Sequence, residues 1–258
     1  MRLDLRPFAA LLIAGLLALP SAPLARAQSI TPEQRGEIET IIKEYLLTHP
    51  ELLQDVMNEL EKRQVAAEAE KHRNAVKEHA ATIYDSPRQV TLGNPQGDVT
   101  IVEFFDYNCG YCKRAMTDMI DLIKSDPKLK FVLKEFPVLG EGSVQAAQVA
   151  AAARMQDKTG GKKYLEFHQK LLGSRGQVDK ARALAVAKEV GFDIARIEKD
   201  MTSDEVKAQI EESMKLAEAL GLNGTPSYVV GPEVVVGAVG LKTLKERVNG
   251  ARCGKATC

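Results

Sequence analysis

The run Val102-Glu-Phe-Phe-Asp-Tyr-Asn-Cys109-Gly-Tyr-Cys112 restricts this chain more than any other stretch. Its first half is apolar, β-rich and written for burial, and Lys113-Arg-Ala-Met directly after it opens a helix-forming segment. A strand therefore runs into a helix, with Cys109 at or just before the helix N-terminus. Unpaired backbone N–H groups and the positive end of the helix dipole stabilise negative charge there, so the sulfur favours the thiolate and becomes a nucleophile. Cys112, one turn on, is placed to attack any mixed disulfide that Cys109 forms. This is geometry for redox exchange.

The compartment decides how the cysteines are read. Met1 to Ala27 has a basic start (Arg2, Arg6), an apolar segment from Phe8 to Leu19, and small residues at Ala25 and Ala27 before Gln28. That is the pattern of a secretory signal peptide cleaved after Ala27, and it predicts a periplasmic protein. A membrane anchor is the alternative, against which the apolar run falls short of the ~20 residues a spanning helix needs. In an oxidising compartment, four cysteines in two close pairs suggest disulfide chemistry. Spacing alone also permits a zinc site built from Cys109, Cys112, Cys253 and Cys258. A formal net charge of zero leaves no basic footprint, so no nucleic-acid partner is expected.

Residues 28–84 read as a helical arm. Thr31-Pro32-Glu33 offers an N-cap, a first-turn Pro and an acidic first turn. Ile38, Ile42, Tyr45, Leu52, Val56 and Leu60 then recur at helical spacing, with a break at Thr48-His49-Pro50, where Thr48 and Glu51 can form a capping box for a second helix. Beyond Leu60 the helix is polar. An amphipathic segment carried on a polar helix must bury its stripe elsewhere, on another copy of the chain or on the main body. The composition break at Tyr84-Asp-Ser-Pro87 marks the expected boundary with a catalytic domain at 85–252, followed by a cysteine-containing tail at 253–258.

Within that domain, strands are expected at Arg88–Leu92, Val99–Phe105 and Lys130–Phe136, with the Cys109 helix between the last two. Residues 142–222 hold only helical periodicity, at Val144–Met155, Tyr164–Leu172, Val178–Val190 and Ser203–Leu220. Ser227–Val230 and Glu233–Val236 are strands joined by Gly231-Pro232, and Leu241–Val248 closes as a helix. The fold class is α/β, in the order β-β-α-β, helical insertion, β-β-α.

This order, with Cys-x-x-Cys at the strand-helix junction, Glu-Phe-Phe before it and Gly224-Thr225-Pro226-Ser227 opening a later strand, resembles the thioredoxin fold with a helical insertion of the DsbA-type exported oxidoreductases. The resemblance covers about residues 88–250. It implies that Pro226 is the family's cis-proline opposite the cysteines, binding an extended substrate chain together with Thr225, and that Gly110 and Tyr111 tune redox poise. It also implies that Glu103 is a buried carboxylate that accepts or relays the proton of Cys112; Lys134, on the following strand, is the candidate partner, the alternative being a partly exposed strand end for Glu103 and a solvated face for Lys134. Asp106 and Asn108 read as local polar and turn residues. His49, His72 and His79 fall in the arm, and His168 on a helix of the insertion.

The Cys-Gly-Tyr-Cys motif, Thr225 before the proline and the helical arm together resemble the suppressor-of-copper-sensitivity protein C (ScsC-like) group. Membership implies an arm-assembled homo-oligomer, a trimer by analogy, with disulfide isomerase activity on exported proteins. It further implies a membrane thiol reductase of the DsbD/ScsB type as electron donor, no required cofactor, and Cu(I) binding through Cys109 and Cys112, whose soft sulfurs suit that ion. Three readings stay open here: an isomerase or reductase, a Cu(I)-sequestering protein using the same thiols, and a net disulfide oxidant. Cys253 and Cys258 lie outside the family motif and are expected to close a structural disulfide, in preference to binding metal or forming a second redox pair.

Overall fold

The computed structural model describes residues 30–258, and the expected signal peptide at 1–27 lies outside them. The chain divides into two compact units, one ending at Glu59 and the other running from Leu60 to Cys258.

In the first unit, α1 (Pro32–Thr48) is opened by a full capping box. Gln34 N–H donates to Thr31 Oγ1 at 3.2 Å, and the Gln34 side chain accepts from Thr31 N–H at 3.0 Å. The second helix, α2 (Glu51–Glu78), starts after His49-Pro50 without the box expected from Thr48 and Glu51. Thr48 instead turns back on α1, its hydroxyl donating to the carbonyls of Glu44 at 2.8 Å and Tyr45 at 3.1 Å. Carbonyls at a helix end lack partners within the helix, and the hydroxyl answers that need first. Ile38, Ile41, Ile42, Tyr45, Leu52, Leu53, Val56 and Met57 are all exposed, and no residue of α1 is buried.

The second unit takes in the end of α2 and all of α3 (Ala80–Asp85). Val76 and Ile83 are buried in one cluster with Val102, Phe104, Val132 and Phe136, so the composition break at Tyr84–Pro87 falls inside this unit. After it come β1 (Val90–Gly93), β2 (Val99–Phe105), α4 (Gly110–Ser125) and β3 (Leu129–Glu135). The first strand begins two residues later than expected: Arg88 N–H is held by Ser86 Oγ at 3.1 Å, and pairing with β3 starts at Val90. The insertion is α5 (Glu141–Gln156), α6 (Lys162–Leu172), α7 (Lys180–Val190), α8 (Ile194–Asp200) and α9 (Asp204–Ala219). The short α8, capped by Asp193, was not foreseen from the periodicity. Then β4 (Ser227–Val230) and β5 (Glu233–Val236) form a hairpin, and α10 (Leu241–Cys253) runs one turn beyond the expected Val248.

The five strands form one sheet in the order β1-β3-β2-β4-β5. Strands β2 and β3 pair in parallel, as the α4 crossover requires, and the other pairings are antiparallel. Both faces of β2 are covered, and six of its seven residues are buried. One face, with Ile101 and Phe105, joins α4, α10 and the insertion in the larger core; the other, with Val102 and Phe104, joins α3 and α9. The C-terminal end of this central strand carries the cysteines.

Candidate active site

The loop leaving β2 delivers Cys109 as the N-cap of α4, in an extended conformation at φ −77° and ψ 116°. Its sulfur accepts the backbone N–H of Cys112 at 3.4 Å, one of the donors left unpaired at the start of a helix. Its thiol also lies 3.1 Å from the carbonyl oxygen of Thr225, toward which it donates. The Thr225–Pro226 peptide bond is cis, and it holds that carbonyl against the cysteine. Cys109 and Cys112 are both free thiols, 5% and 0% exposed. Gly110 starts the helix, and Tyr111 stands 59% exposed beside the sulfurs with the Arg114 guanidinium 4.3 Å over its ring.

Cys112 is the interior member of the pair. Burial, with the Glu103 carboxyl as the next cause, pushes its thiol far above the ordinary range. Glu103 is itself buried on the same face of β2, where burial first and the Asp118 carboxylate second push it up to about 8. A carboxyl that titrates near neutrality beside a thiol that resists ionisation is suited to taking that thiol's proton.

Lys134 is not the partner of Glu103. In the parallel β2–β3 register Glu103 stands opposite Leu133, whereas Lys134 stands opposite Phe104. Side chains alternate across a sheet, so Lys134 projects from the other face. There its Nζ donates to the Thr82 carbonyl at 2.9 Å and to Gln89 Oε1 at 3.0 Å, with Glu212 at 3.8 Å. Its place on the neighbouring strand suggested a contact that a single step of strand parity forbids.

Two groups to which the sequence assigns no part in the site organise the cysteine loop. Asp106, 1% exposed, is a turn residue as expected and also a buried acceptor. Its Oδ1 accepts from Asn108 N–H and Ser143 Oγ–H, both at 2.7 Å, and its Oδ2 accepts from the N–H groups of Val138 and Leu139, both at 2.9 Å. The Asn108 side chain donates to the Val178 carbonyl at 2.8 Å and accepts from Val178 N–H at 2.7 Å, fastening the loop to the insertion.

The second group is a buried chain of side chains around Tyr107. The Tyr107 hydroxyl lies 3.2 Å from that of Tyr164 and 3.3 Å from His168 Nδ1, and Tyr164 donates to Glu135 Oε1 at 2.8 Å. Burial depresses His168 to about 3, so its ring is neutral at pH 7, and burial holds the Glu135 carboxyl well above its usual range. The spacing Asp106-x-Asn108 just before a cysteine, and a glutamate at the end of an otherwise apolar strand, were the only sequence signals of either group.

The other cysteine pair is separate. Cys253 and Cys258 are bonded to each other at the exposed end of α10, which takes them out of any four-cysteine metal site. Among the described residues no group of three or more His, Cys, Asp or Glu side chains could hold a metal ion. No helix of the described residues is long and apolar enough to cross a membrane.

Two families match this chain: the DSBA-like thioredoxin domain over residues 100–249, and the copper resistance protein ScsC N-terminal domain over residues 34–67. A thioredoxin-like oxidoreductase from Silicibacter pomeroyi is 46% identical, covering 67% of this chain and 96% of its own, with a TM-score of 0.63. The catalytic domain of Proteus mirabilis ScsC is 26% identical over 70% of this chain and 98% of its own, also with a TM-score of 0.63. Among curated proteins, the Na(+)/H(+) antiporter NhaA 1 of Salinispora arenicola is 26% identical over 66% of this chain. The chain spans only about a quarter of the length of such antiporters, 26% in that case.

Proposed function

This chain is a member of the DsbA-like thioredoxin family and a thiol-disulfide oxidoreductase, and from that premise we propose that it works in the periplasm as a disulfide isomerase and reductase of exported polypeptides. The observation that carries the reading is Cys109 Sγ, at a helix N-cap and 3.1 Å from the carbonyl preceding the cis-proline, with Cys112 buried behind it. The Cys109 thiolate attacks one sulfur of a substrate disulfide, forming a mixed disulfide and releasing the other sulfur as a thiolate. In isomerisation that released thiolate attacks a second substrate disulfide and frees another substrate thiolate, which attacks the substrate sulfur of the mixed disulfide and expels Cys109 as a thiolate, leaving the number of substrate disulfides unchanged. In reduction Cys112 gives its proton to Glu103 and attacks Cys109 Sγ, so a Cys109–Cys112 disulfide forms and the substrate departs as a dithiol, reduced by two electrons. The carbonyl of Thr225 and the backbone around Pro226 are the docking edge for the extended substrate.

A dithiol donor must return those two electrons, and a membrane thiol reductase of the DsbD/ScsB type fits that need. Refolding of a scrambled multi-disulfide protein, with reductant present, tests the reading. Recovery of activity several-fold above buffer is expected, and no gain would sink the isomerase. A reduction potential near the oxidising end of the family's range, about −120 mV, would instead favour a net oxidant.

The arm supports assembly. The exposed stripe of α1 and early α2 presents apolar side chains that a second and third copy would cover, and the matched N-terminal domain is that of a copper resistance protein. Light scattering on residues 28–258 is expected to report a homo-oligomer, a trimer on the ScsC analogy, and deletion of residues 28–59 a monomer. The same domain match favours a second reading of the thiols, as a two-sulfur Cu(I) site. Competition with a Cu(I) chelator by the reduced protein tests it.

A further inference from the structure

Cys109 and Cys112 take their fixed contacts from different places. The Cys109 sulfur is held by the helix that it caps and by the carbonyl of Thr225. The Cys112 sulfur, fully buried, lies against the backbone N–H of Asp106. Burial first and the Glu103 carboxyl second push the Cys112 thiol up, and this N–H works the other way, because a donor aimed at a sulfur stabilises its thiolate. The carbonyl of the same residue accepts the N–H of Cys109 at 3.1 Å. Asp106 therefore touches the backbone of one cysteine and the sulfur of the other.

Its side chain fixes that backbone from outside the cysteine loop. A buried carboxylate is tolerated only where donors satisfy it, and of the four donors here a single one, the N–H of Asn108, belongs to the loop itself. The N–H groups of Val138 and Leu139 come from the segment between β3 and α5, and Ser143 Oγ–H from the first turn of α5. Asn108 Nδ2 donates in turn to Ser143 Oγ at 3.0 Å. We infer that Asp106 is a positioning residue for the resolving step: its bolted carboxylate keeps the backbone N–H on the Cys112 sulfur, and so sets how the protein divides its work between reduction and isomerisation. In resolution the Cys112 proton passes to Glu103, the Cys112–Cys109 bond forms, the bond from Cys109 to the substrate sulfur breaks, and its electron pair leaves with the substrate as a thiolate. Isomerisation needs the mixed disulfide to persist while substrate thiolates rearrange, so slower resolution favours it.

This inference rests on the proposed reductase step, and the test tells their failures apart. Pre-reduced protein is mixed with a peptide closed by one internal disulfide, quenched in acid at intervals and followed by mass spectrometry. Attack appears as a protein–peptide adduct, and resolution as its conversion to protein carrying the Cys109–Cys112 disulfide. Asp106→Asn keeps the side chain's size but turns an amide toward N–H donors, and it is expected to slow resolution about tenfold more than attack, the worth of one hydrogen bond to a charged sulfur. The rise of the resolution rate with pH is expected to move to higher pH. Loss of the Asp106 charge alone would move it lower, since a negative charge near Cys112 opposes its thiolate. The titratable groups set against Cys112, which are Glu103 on β2, Cys109 on α4 and Tyr228 on β4, are the same in the variant. Ser143→Ala removes one donor and leaves the charge, and it is expected to slow resolution about threefold more than attack. It decides alone should Asp106→Asn fail to fold. A ratio of attack to resolution like that of the wild type in either variant, or a pH profile moved lower in Asp106→Asn, overturns the positioning role. A wild type that never forms the Cys109–Cys112 disulfide overturns the reductase reading and the inference with it.

Discussion

The two faces of the β2–β3 pair both bury ionisable side chains, and they treat them differently. On one face stands Glu103, on the other, through the neighbouring strand β3, stands Lys134. Burial is the leading cause at both, raising the acid and lowering the base, and both arrive at about 8. Lys134 is surrounded by acceptors, the Thr82 carbonyl, Gln89 Oε1 and Glu212, so its charge is accommodated. Glu103 is instead set among other acids and a thiol: Asp118, Cys112 and the Tyr228 phenol. An ionisable group surrounded by partners reads as structure. One kept beside a second titrating group, with no counter-charge, reads as chemistry.

Removing each group should separate those roles. The largest effect is expected from Glu103→Gln, which takes away the acceptor for the Cys112 proton. Resolution of a mixed disulfide on Cys109 should slow about 100-fold, as loss of a general base does, and quenched-flow trapping of the mixed disulfide measures it. An unchanged rate would remove Glu103 from the mechanism. The same variant tests the electrostatics. The folded-state value of Glu103 lies above its unfolded value of 4.5, so its contribution to stability is fully present below about 4.5 and is lost as pH rises through about 8. Glu103→Gln should abolish that decline, and denaturant melts at pH 5 and pH 9 would show it.

Lys134→Met should do the reverse, costing stability while sparing exchange. Leaving Thr82 and Gln89 without their donor is expected to cost about 2 kcal/mol. Disulfide exchange should stay within about twofold of the wild type, and a larger loss would mean that the two faces communicate. The sign of its pH dependence is also opposite. The folded-state value of Lys134 lies below its unfolded 10.5, so its contribution is present above that value and lost as pH falls through about 8. From these two groups alone, stability falls with pH up to about 8 and rises beyond it.

A smaller effect is expected at His168, buried on the Glu103 side within the Tyr107 chain. Depressed to about 3 by burial, it contributes stability that is present above its unfolded 6.5 and lost as pH falls toward 3. His168→Gln keeps a hydrogen-bonding side chain without the charge. It should flatten the acid limb of the stability curve, seen in thermal melts between pH 6.5 and 4, while leaving the limb above pH 7 in place.

Much of this molecule was legible in its sequence because local chemistry carried the signal. The strand Val99–Phe105, the hairpin strands Ser227–Val230 and Glu233–Val236, and the start of the last helix at Leu241 were read with their observed bounds, since apolar runs bounded by Gly and Pro leave little choice. Cys109 at a helix N-cap followed from a strand running straight into a helix former, and the Cys253–Cys258 bond from two cysteines five residues apart in a tail. Where the reading went astray, either two local partners competed or the deciding one was distant in sequence. Thr48 had two ways to cap a helix and took the carbonyls behind it. Asp106 looked like a turn residue until its partners from positions 138, 139 and 143 were in place.

The sequence by itself thus determined the elements, their order and the two reacting sulfurs, because helix ends, strand patterning and Cys-x-x-Cys spacing act over a few residues. Only the tertiary structure decided what faces what. It put Lys134 one step of strand parity away from Glu103, closed a chain from Tyr107 to Glu135 through α6, and aimed Val138 and Leu139 outward beside Cys109. Contacts of that kind depend on register and on long-range packing, which no window of the chain contains.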